Sequence, residues 1–415
     1  MLLRARIVVP VVGPPLENGA VRVLASRLTF VGPWRDASPE GGEPQADLGE
    51  VILLPGLVNA HCHLDYTRMA GRLPPQRRFT DWIKLITAEK GGLSYADFAA
   101  AWLEGARQLL ESGTTTVADI EAVPELLPEV WSASPLRVFS FLEMTGVKSR
   151  RNPAAILAEV EARILSLSPT RVGLGPSPHA PYSTTPRLLD LVAAASQRHR
   201  WLVCSHVAES AEEFEMFTSG RGMMFDWLAR NERDNSDCGL GTPVQHLARH
   251  GLINRRFLAV HANYLLPADI EILASAGVSV VHCPRSHAYF QHAAFPLEAL
   301  VAAGVNVCLG TDSLATTLLE RGKTPRLDMF AEMRQFSRAY PGIPADTILR
   351  LATVQGAKAL HLAGQVGELS PGALADLVAI PATSRLPDCG EAILNHTGPL
   401  AAGMIDGRWT IAPST

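Results

Sequence analysis

Several features that mark particular protein classes are missing from this 415-residue chain. No apolar run reaches the roughly 18 to 20 residues that a membrane-spanning helix needs. The first residues contain arginines and are interrupted by Pro10, Pro14 and Pro15. They therefore lack the apolar region and the small-residue cleavage site of a secretory signal. These absences predict a cytoplasmic protein.

The chain also lacks a strong charge of one sign. It has 41 acidic and 37 basic residues, a net charge of −4, and no extended basic block. A broad basic face for nucleic acid is therefore not expected. Hydrophobic residues make up 47% of the chain and charged residues 19%, as in an ordinary globular enzyme.

Short motifs of several enzyme classes are missing as well. The six cysteines form no CxxC pair, which argues against a zinc knuckle or a thioredoxin-like site and favours buried, reduced thiols. The absence of HExxH, of PCxxC and of GxSxG argues against common zinc proteases, cytidine-deaminase-type zinc sites and serine hydrolases, respectively.

The middle of the chain alternates apolar strand-like runs with amphipathic helical stretches, which is typical of a parallel sheet. The predicted strands cover residues 56–61, 114–119, 137–142, 172–176, 201–206, 257–261, 278–282 and 305–311. The predicted helices cover residues 95–111, 153–167, 186–199, 267–276, 327–339 and 344–360. Eight strands fit an α/β fold of the (β/α)8 TIM-barrel type. An open doubly wound sheet is the alternative, but its Gly-rich dinucleotide loop is missing.

Both ends of the chain are rich in short strand-like pieces separated by Gly, Pro and Asn. The simplest interpretation is that these ends pair beside the barrel. We therefore predict a discontinuous β-sandwich domain from residues 1–56 and 365–415, and a hydrolase barrel from residues 57–364.

Polar residues follow four of the predicted strands at the end that carries the chemistry in parallel barrels. His61 and His63 are spaced so that both side chains point to one face of an extended chain. His206 and His261 each end another predicted strand, and Asp312 follows a fourth. Each residue alone could be structural, as a satisfied core histidine or a helix cap. Together they predict a site for a divalent metal.

Glu209 follows His206 by three residues, where the chain leaves the strand. A carboxylate at this point could act as a general acid and base. The alternative is a first-turn helix residue that complements the helix dipole, because Glu212 and Glu213 are close by in the sequence.

These motifs resemble those of the amidohydrolase superfamily, and the resemblance spans nearly the whole chain. The subgroup most similar contains chlorohydrolases, guanine and cytosine deaminases, and adenosine-like nucleoside deaminases. The matching segments are residues 55–63 (PGLVNAHCH), 205–210 (SHVAES), 260–262 (VHA), 282–286 (HCPRS), 310–313 (GTDS) and 372–378 (GALADLV).

The resemblance implies that His61, His63, His206 and Asp312 ligate the metal. It implies that Glu209 moves protons and that His261 and Asp312 take part in catalysis. His179, in the segment PSPHAPY, resembles the family's substrate-facing histidine, although it could also be a simple loop residue.

The chain departs from its family pattern at two points. The third and fourth predicted strands contain no lysine to bridge two metals, so we expect one divalent ion, with Zn²⁺ favoured over Fe²⁺. His287 stands where relatives often have Asn after the HCPRS segment, and this variant resembles aminofutalosine-type deaminases.

Several further residues are candidates for substrate binding. Trp82 could stack on a heteroaromatic base or anchor a lid. Arg150 and Arg151 could bind a carboxylate with two hydrogen bonds, or form a solvated surface pair. Arg285 and His287 could meet a polar tail of the substrate.

We therefore predict a metal-dependent hydrolase that deaminates an amino-heterocycle, such as an adenosine-like nucleoside of the aminofutalosine or S-adenosylhomocysteine type. The alternatives are hydrolysis of guanine, an s-triazine or a cyclic amide, and a non-catalytic metal-binding scaffold. A small-molecule substrate is expected, without nucleic acid or membrane as partner. A homodimer is a further possibility, by analogy with similar barrels.

Overall fold

The computed structural model describes residues 1–38, 41–148, 150–168, 173–319, 322, 324–382 and 384–413. Within these ranges the strands are β1 (Leu2–Val8), β2 (Leu16–Leu24), β3 (Arg27–Pro33), β4 (Gln45–Asp47), β5 (Val51–Pro55), β6 (Leu57–Cys62), β7 (Thr114–Glu121), β8 (Arg137–Met144), β9 (Gly173–Pro178), β10 (Val203–Val207), β11 (Phe257–His261), β12 (Ser279–His282), β13 (Asn306–Leu309), β14 (Leu377–Pro381), β15 (Ala402–Ile405) and β16 (Arg408–Ile411).

Most helices of the described chain lie between the strands β6 and β14. They are α1 (Phe79–Lys90), α2 (Tyr95–Glu111), α3 (Leu127–Ala133), α4 (Pro153–Ser166), α5 (Pro186–His199), α6 (Ala211–Ser219), α7 (Met223–Arg230), α8 (Pro243–Arg249), α9 (Pro267–Ala276), α10 (Pro284–Phe290), α11 (Leu297–Ala302), α12 (Met329–Ala339), α13 (Ala345–Leu351), α14 (Val354–Ala359) and α15 (Cys389–Leu394). None of the described helices combines the length and the apolar character that a bilayer crossing requires.

Eight parallel strands form the centre of the protein. Strands β6 to β9 pair in sequence order, and so do β10 to β13. The two halves meet at both seams: the His206 N–H donates to the His179 carbonyl at 2.9 Å, and the Asp312 N–H donates to the His61 carbonyl at 3.1 Å. These hydrogen bonds close the strands into the predicted barrel, so all eight C-terminal strand ends surround one opening.

The sequence-based prediction of the barrel is confirmed. Each predicted strand overlaps an observed one, and Phe257–His261 has the predicted bounds. Val172, the first residue of the fourth predicted strand, lies outside the described residues. The helix predicted over residues 344–360 is divided into α13 and α14, because the Ala352 carbonyl accepts a hydrogen bond from the Val58 N–H of β6 at 2.8 Å.

The interior of the barrel is filled by alternating apolar side chains of the strands, such as Val58, Ala60 and Val260. The pairing of β6 with β7 shifts register between Asn59 and Cys62. After this shift Cys62 packs in a different cluster, together with side chains of α2. The irregularity thus changes which side chains of β6 face the barrel axis just before its C-terminal end.

The two ends of the chain meet in one eight-stranded sheet, with the order β16-β15-β14-β5-β1-β2-β3 and with β4 beside β1. Antiparallel pairing of β5 with β14, with Ile52 opposite Ile380, connects the N-terminal and C-terminal parts. A buried ion pair links this sheet to the barrel: Arg137 Nε of β8 donates to Asp376 Oδ2 at 2.9 Å.

Candidate metal centre and active site

Five side chains converge at the C-terminal opening of the barrel. His61 and His63 come from the end of β6, His206 from β10, His261 from β11, and Asp312 from the segment after β13. The Asp312 Oδ1 atom lies 3.6 Å from His61 Nε2 and 3.7 Å from His63 Nε2. His63 Nε2 and His206 Nε2 are 3.3 Å apart. Each side chain is buried.

The donor set fits a divalent metal. One potential ligand atom from each of His61, His63 and His206 lies within 4.8 Å of the others, and the same holds for His61, His261 and Asp312. Within the described chain, neither ring nitrogen of the buried His61 has a hydrogen-bond partner. Buried polar atoms rarely stay unpaired, and imidazole nitrogens with a carboxylate are the ligands that zinc and similar ions prefer.

Further hydrogen bonds orient these donors. His206 Nδ1 donates to the His179 carbonyl at 2.8 Å, which directs Nε2 towards the other histidines. The Thr316 hydroxyl donates to Asp312 Oδ2 at 2.9 Å and leaves Oδ1 facing the histidines. His261 and Asp312 have φ values of 70° and 53°. Such left-handed backbone at non-glycine residues is costly and concentrates at functional sites.

Glu209 lies beside the donor set rather than within it. Its Oε1 atom is 3.5 Å from His261 Nε2. Asn263 Nδ2 donates to the Glu209 carbonyl at 2.9 Å, and the Glu209 N–H donates to Glu213 Oε2 at 2.8 Å. Burial, then the nearby charges of Asp312 and Glu213, raise the pKa of Glu209 well above its usual range. A carboxyl group of this kind can carry a proton at neutral pH.

A cavity of about 420 Å³ opens above these residues. Much of its wall is aromatic, with Tyr66, Phe79, Trp82, Tyr182 and Trp227 among the lining side chains. The Phe79 and Trp82 rings stack with centroids 5.8 Å apart. A cavity of this size and lining suits a planar heterocycle with a substituent.

The structure brings some predicted substrate residues together and separates others. Trp82 and His179 line the cavity. Arg150 is exposed and pairs with Glu232 at 3.3 Å, and Arg151 donates to the Thr145 carbonyl at 3.3 Å. Neither arginine lines the cavity.

Arg285 and His287 also lie outside the cavity lining. Arg285 Nη1 donates to the Arg326 carbonyl at 2.8 Å. The His287 ring packs beside the rings of His282 and His292, at 5.2 and 5.5 Å. Contact of these residues with substrate stays a prediction.

Sequence reasoning missed several polar groups of the cavity wall. Lys90, Glu143 and Lys148 all line the cavity. Glu143 could have been identified from the sequence, because it is a lone carboxylate near the C-terminal end of the apolar strand β8. Lys90 could not, because the helices predicted from the sequence do not include residues 79–90.

The amidohydrolase family profile matches residues 52–410, which is most of the chain. The chain belongs to the amidohydrolase family. This amidohydrolase is a hydrolase of carbon–nitrogen bonds other than peptide bonds, and its substrate is a small molecule. The sequence-based recognition of the family is thereby confirmed.

Several curated relatives of this amidohydrolase are named as deaminases. A 5-methylthioadenosine/S-adenosylhomocysteine deaminase of Moorella thermoacetica is 30% identical over 92% of this chain and 85% of its own length. The enzyme of the same name from Syntrophobacter fumaroxidans is 29% identical over 89% of this chain and 81% of its own. A 5'-deoxyadenosine deaminase of Methanothermobacter thermautotrophicus is 28% identical over 88% of this chain and 81% of its own.

Solved structures of similar fold cover almost the whole amidohydrolase. An adenosine deaminase of Xanthomonas campestris with bound zinc has a TM-score of 0.83 at 25% identity, and covers 99% of this chain and 92% of its own. The aminofutalosine deaminase of Helicobacter pylori, in complex with methylthio-coformycin, has a TM-score of 0.87 at 21% identity and covers 99% and 100%. The donor set and the zinc-bound neighbour together support a divalent metal at this site.

Proposed function

We propose that this amidohydrolase deaminates an adenosine-like nucleoside and releases ammonia. The observation that carries the proposal is Glu209, a buried carboxyl group 3.5 Å from His261 and next to a metal-donor set, at the base of an aromatic cavity. A non-catalytic metal site would have no use for a proton carrier beside it. The names of the curated relatives support the substrate class.

His61, His63, His206 and Asp312 would hold one divalent ion, for which we propose Zn²⁺ over Fe²⁺. When bound, such an ion lowers the pKa of a coordinated water from about 16 to near 7 and so supplies a nucleophile at neutral pH. The ring nitrogens of three histidines match the preference of zinc, and zinc-bound neighbours support the assignment.

Glu209 is the proton carrier of the proposed reaction. It gives its proton to the ring nitrogen next to the carbon that bears the amino group, which makes that carbon more electrophilic. It then accepts one proton from the added water and passes it to the amino group, which leaves as ammonia; the second proton of the water, taken up by Asp312, returns to Glu209 and restores its carboxyl group. The raised pKa of Glu209 matches this exchange.

His261 and Asp312 complete the proposed catalytic group. His261 Nε2 faces Glu209, and within the described chain it has no hydrogen-bond partner. It is therefore available to hold the attacking oxygen in place and to stabilise the charge that develops on it. The Asp312 carboxylate, oriented by Thr316, is available to accept a proton from the attacking water.

The aromatic wall would hold the heterocycle. Trp82, Phe79 and Tyr182 offer faces and edges for stacking, which is worth about 0.5–1.5 kcal/mol per pair beyond burial. We also propose that the domains divide at residues 56/57 and 364/365, and that the protein is a cytoplasmic homodimer without a nucleic-acid partner.

The test is release of ammonia from the zinc-loaded protein. The panel would contain adenosine, 5'-deoxyadenosine, 5'-methylthioadenosine, S-adenosylhomocysteine and aminofutalosine, with guanine, an s-triazine and a cyclic amide as contrasts. Turnover of a nucleoside supports the proposal. If only a contrast compound is turned over, the protein is still a hydrolase but the proposed nucleoside substrate is wrong. If no compound of the panel is turned over although metal is bound, a non-catalytic metal-binding scaffold is favoured.

A further inference from the structure

Glu209, the proposed proton carrier, lies between the end of β10 at Val207 and the start of α6 at Ala211. Within the described residues, neither its N–H nor its carbonyl takes part in a backbone–backbone hydrogen bond. Buried backbone groups need partners, because an unpaired one costs about as much free energy as a lost hydrogen bond. Since Glu209 is buried, side chains have to supply what a helix or a strand would otherwise provide.

The side chain of Glu213 binds the N–H group of Glu209. Glu213 Oε2 accepts from the Glu209 N–H at 2.8 Å, and Oε1 accepts from the Ala208 N–H at 3.1 Å. Ala208 has a φ of 49°, in the left-handed region that residues with a side chain rarely adopt. Two successive N–H groups that point to one carboxyl group therefore hold the turn by which the chain leaves β10.

The side chain of Asn263 binds the carbonyl of the same residue. Its Nδ2 atom donates to the Glu209 carbonyl at 2.9 Å. The backbone N–H of Asn263 donates to the Ala208 carbonyl at 3.0 Å, so one residue supplies both hydrogen bonds. Asn263 follows His261 by two positions. It therefore ties Glu209 to the strand end that carries His261.

These two side chains lie behind the cavity and not on its wall. Neither Glu213 nor Asn263 lines the cavity, whereas Glu209 and His261 do. The exposed fraction is 0% for Glu213 and 4% for Asn263. A substrate in the cavity therefore does not touch them, and any specific effect of either residue on turnover has to pass through the groups that it holds.

We infer that Glu213 and Asn263 are positioning residues, which hold the N–H and the carbonyl of Glu209 so that its carboxyl group stays 3.5 Å from His261. Glu209 has to meet both the substrate and the attacking water. Misplacement of a catalytic group by about 1 Å can cost about 100-fold in rate, so a segment outside helix and strand needs such an anchor. The inference rests on the proposed function and concerns how its proton carrier is held, whichever substrate is used.

The test is a double-mutant cycle between Glu213 and Glu209, on the full-length zinc-loaded protein with its best substrate. In Glu213→Gln, one of the two backbone N–H groups faces an amide NH2 group instead of an oxygen. This variant should lower kcat by about 10- to 100-fold and leave KM within about threefold. In the Glu209→Gln background the same substitution should change kcat by less than about threefold, because a residue that acts through Glu209 has nothing further to lose.

Asn263→Ala removes the hydrogen bond on the other side and is tested in the same cycle, also where Glu213→Gln does not fold. It should lower kcat by about tenfold or more with little change in KM. Glu215→Gln, at an exposed position of α6, is the matched control and should behave like the wild type. A rise in KM without a fall in kcat would overturn the inference. An equal fall in kcat with and without the Glu209 carboxyl group would also overturn it.

Hydrogen–deuterium exchange measures the positioning without any substrate. In Glu213→Gln the amides of residues 208 and 209 should exchange at least about fivefold faster than in the wild type. The amides of β7 (Thr114–Glu121) should keep their rates in a folded variant. Unchanged exchange at residues 208 and 209 would overturn the inference. If the wild type turns over no compound of the panel, the proposed function fails, and the exchange rates alone decide whether Glu213 holds this segment.

Discussion

The carboxylate of Glu212 accepts hydrogen bonds from both the backbone N–H and the hydroxyl of Thr80, the N–H at 2.9 Å. Thr80 lies in the first turn of α1, which carries Trp82 and Lys90 into the cavity wall. Glu212 lies in the first turn of α6, three residues after Glu209. One carboxylate therefore ties the helix that covers the cavity to the segment that holds the proposed proton carrier.

Replacing Glu212 with Ala should weaken substrate binding more than chemistry. Loss of the cap frees the start of α1, which costs about 1 kcal/mol of helix stability. We expect KM to rise about three- to tenfold, with a smaller change in kcat. Steady-state kinetics on the best substrate tests this. Glu215 is an exposed residue on the same helix, and the control variant Glu215→Ala should behave like the wild type. A Glu212→Ala variant that changes only kcat would contradict the role of Glu212 in holding α1 over the cavity.

The Glu209→Gln variant should bind metal and lose turnover. The amide keeps the size of the side chain but cannot exchange a proton, so we expect kcat to fall by at least about 10²- to 10⁴-fold. Metal content by mass spectrometry should stay near that of the wild type, because Glu209 is not among the proposed ligands. Normal turnover in this variant would remove Glu209 from the mechanism.

Removal of the metal should abolish activity and destabilise the fold. A ligand that binds only the folded state stabilises it by about 2.7 kcal/mol at 100 times its Kd, and the unpaired nitrogens of His61 are left buried without it. Treatment with 1,10-phenanthroline should lower Tm by several degrees, with recovery on addition of zinc. The non-chelating isomer 1,7-phenanthroline is the control. Full activity in protein shown to be metal-free would contradict the proposal that these residues hold a metal required for activity.

The buried His246 of α8 should make the protein sensitive to mild acid. Burial lowers the pKa of His246 to about 3, despite the attraction of Asp237 at 3.5 Å. Below its ordinary pKa of about 6.5, the unfolded chain binds a proton that the folded chain excludes. The contribution of neutral His246 to the free energy of unfolding is therefore fully present above pH 6.5. It falls by up to about 1.4 kcal/mol for each pH unit below 6.5.

Urea unfolding of the wild type and of His246→Gln at pH 7.5, 6.5 and 5.5 measures this effect. The variant should lose less stability on acidification, because glutamine does not titrate. Carboxyl groups that titrate in the same range are common to both proteins and cancel in the comparison. If the free energy of unfolding changes equally with pH in the two proteins, His246 is protonated in the folded state too.

The elements that could be predicted from the sequence share one property: each is indicated by a pattern within its own short segment of the chain. Alternating apolar runs and helical periodicity identified the eight barrel strands. His61, His63, His206 and Asp312 could be grouped because the C-terminal ends of parallel strands meet at one opening. Helix α1 was missed for the opposite reason. Its first residue follows Arg78, which provides no side-chain cap, and the cap comes from Glu212 on another helix.

The charged groups of the cavity wall could not be placed from the sequence for a related reason. The loop after β8 contains Lys148, Arg150 and Arg151 within four positions, and only the path of the backbone decides which of them points inwards. The structure directs Lys148 to the cavity and leaves Arg150 beside Glu232 on the surface. Glu143 and Lys90 approach each other across more than one element of the barrel, and no spacing rule predicts such a pair.

The pairing of β5 with β14 imposes an order on folding during synthesis. A nascent chain presents Ile52 long before Ile380 has been translated, so one edge of the N-terminal strands stays open while the barrel segments emerge. Closing so long a loop is slow, and an unpaired strand edge is prone to aggregation until it is covered. Completing β14 to β16 therefore does more than lengthen the chain: it covers this open edge, and chaperones can act on the edge in the interval before then.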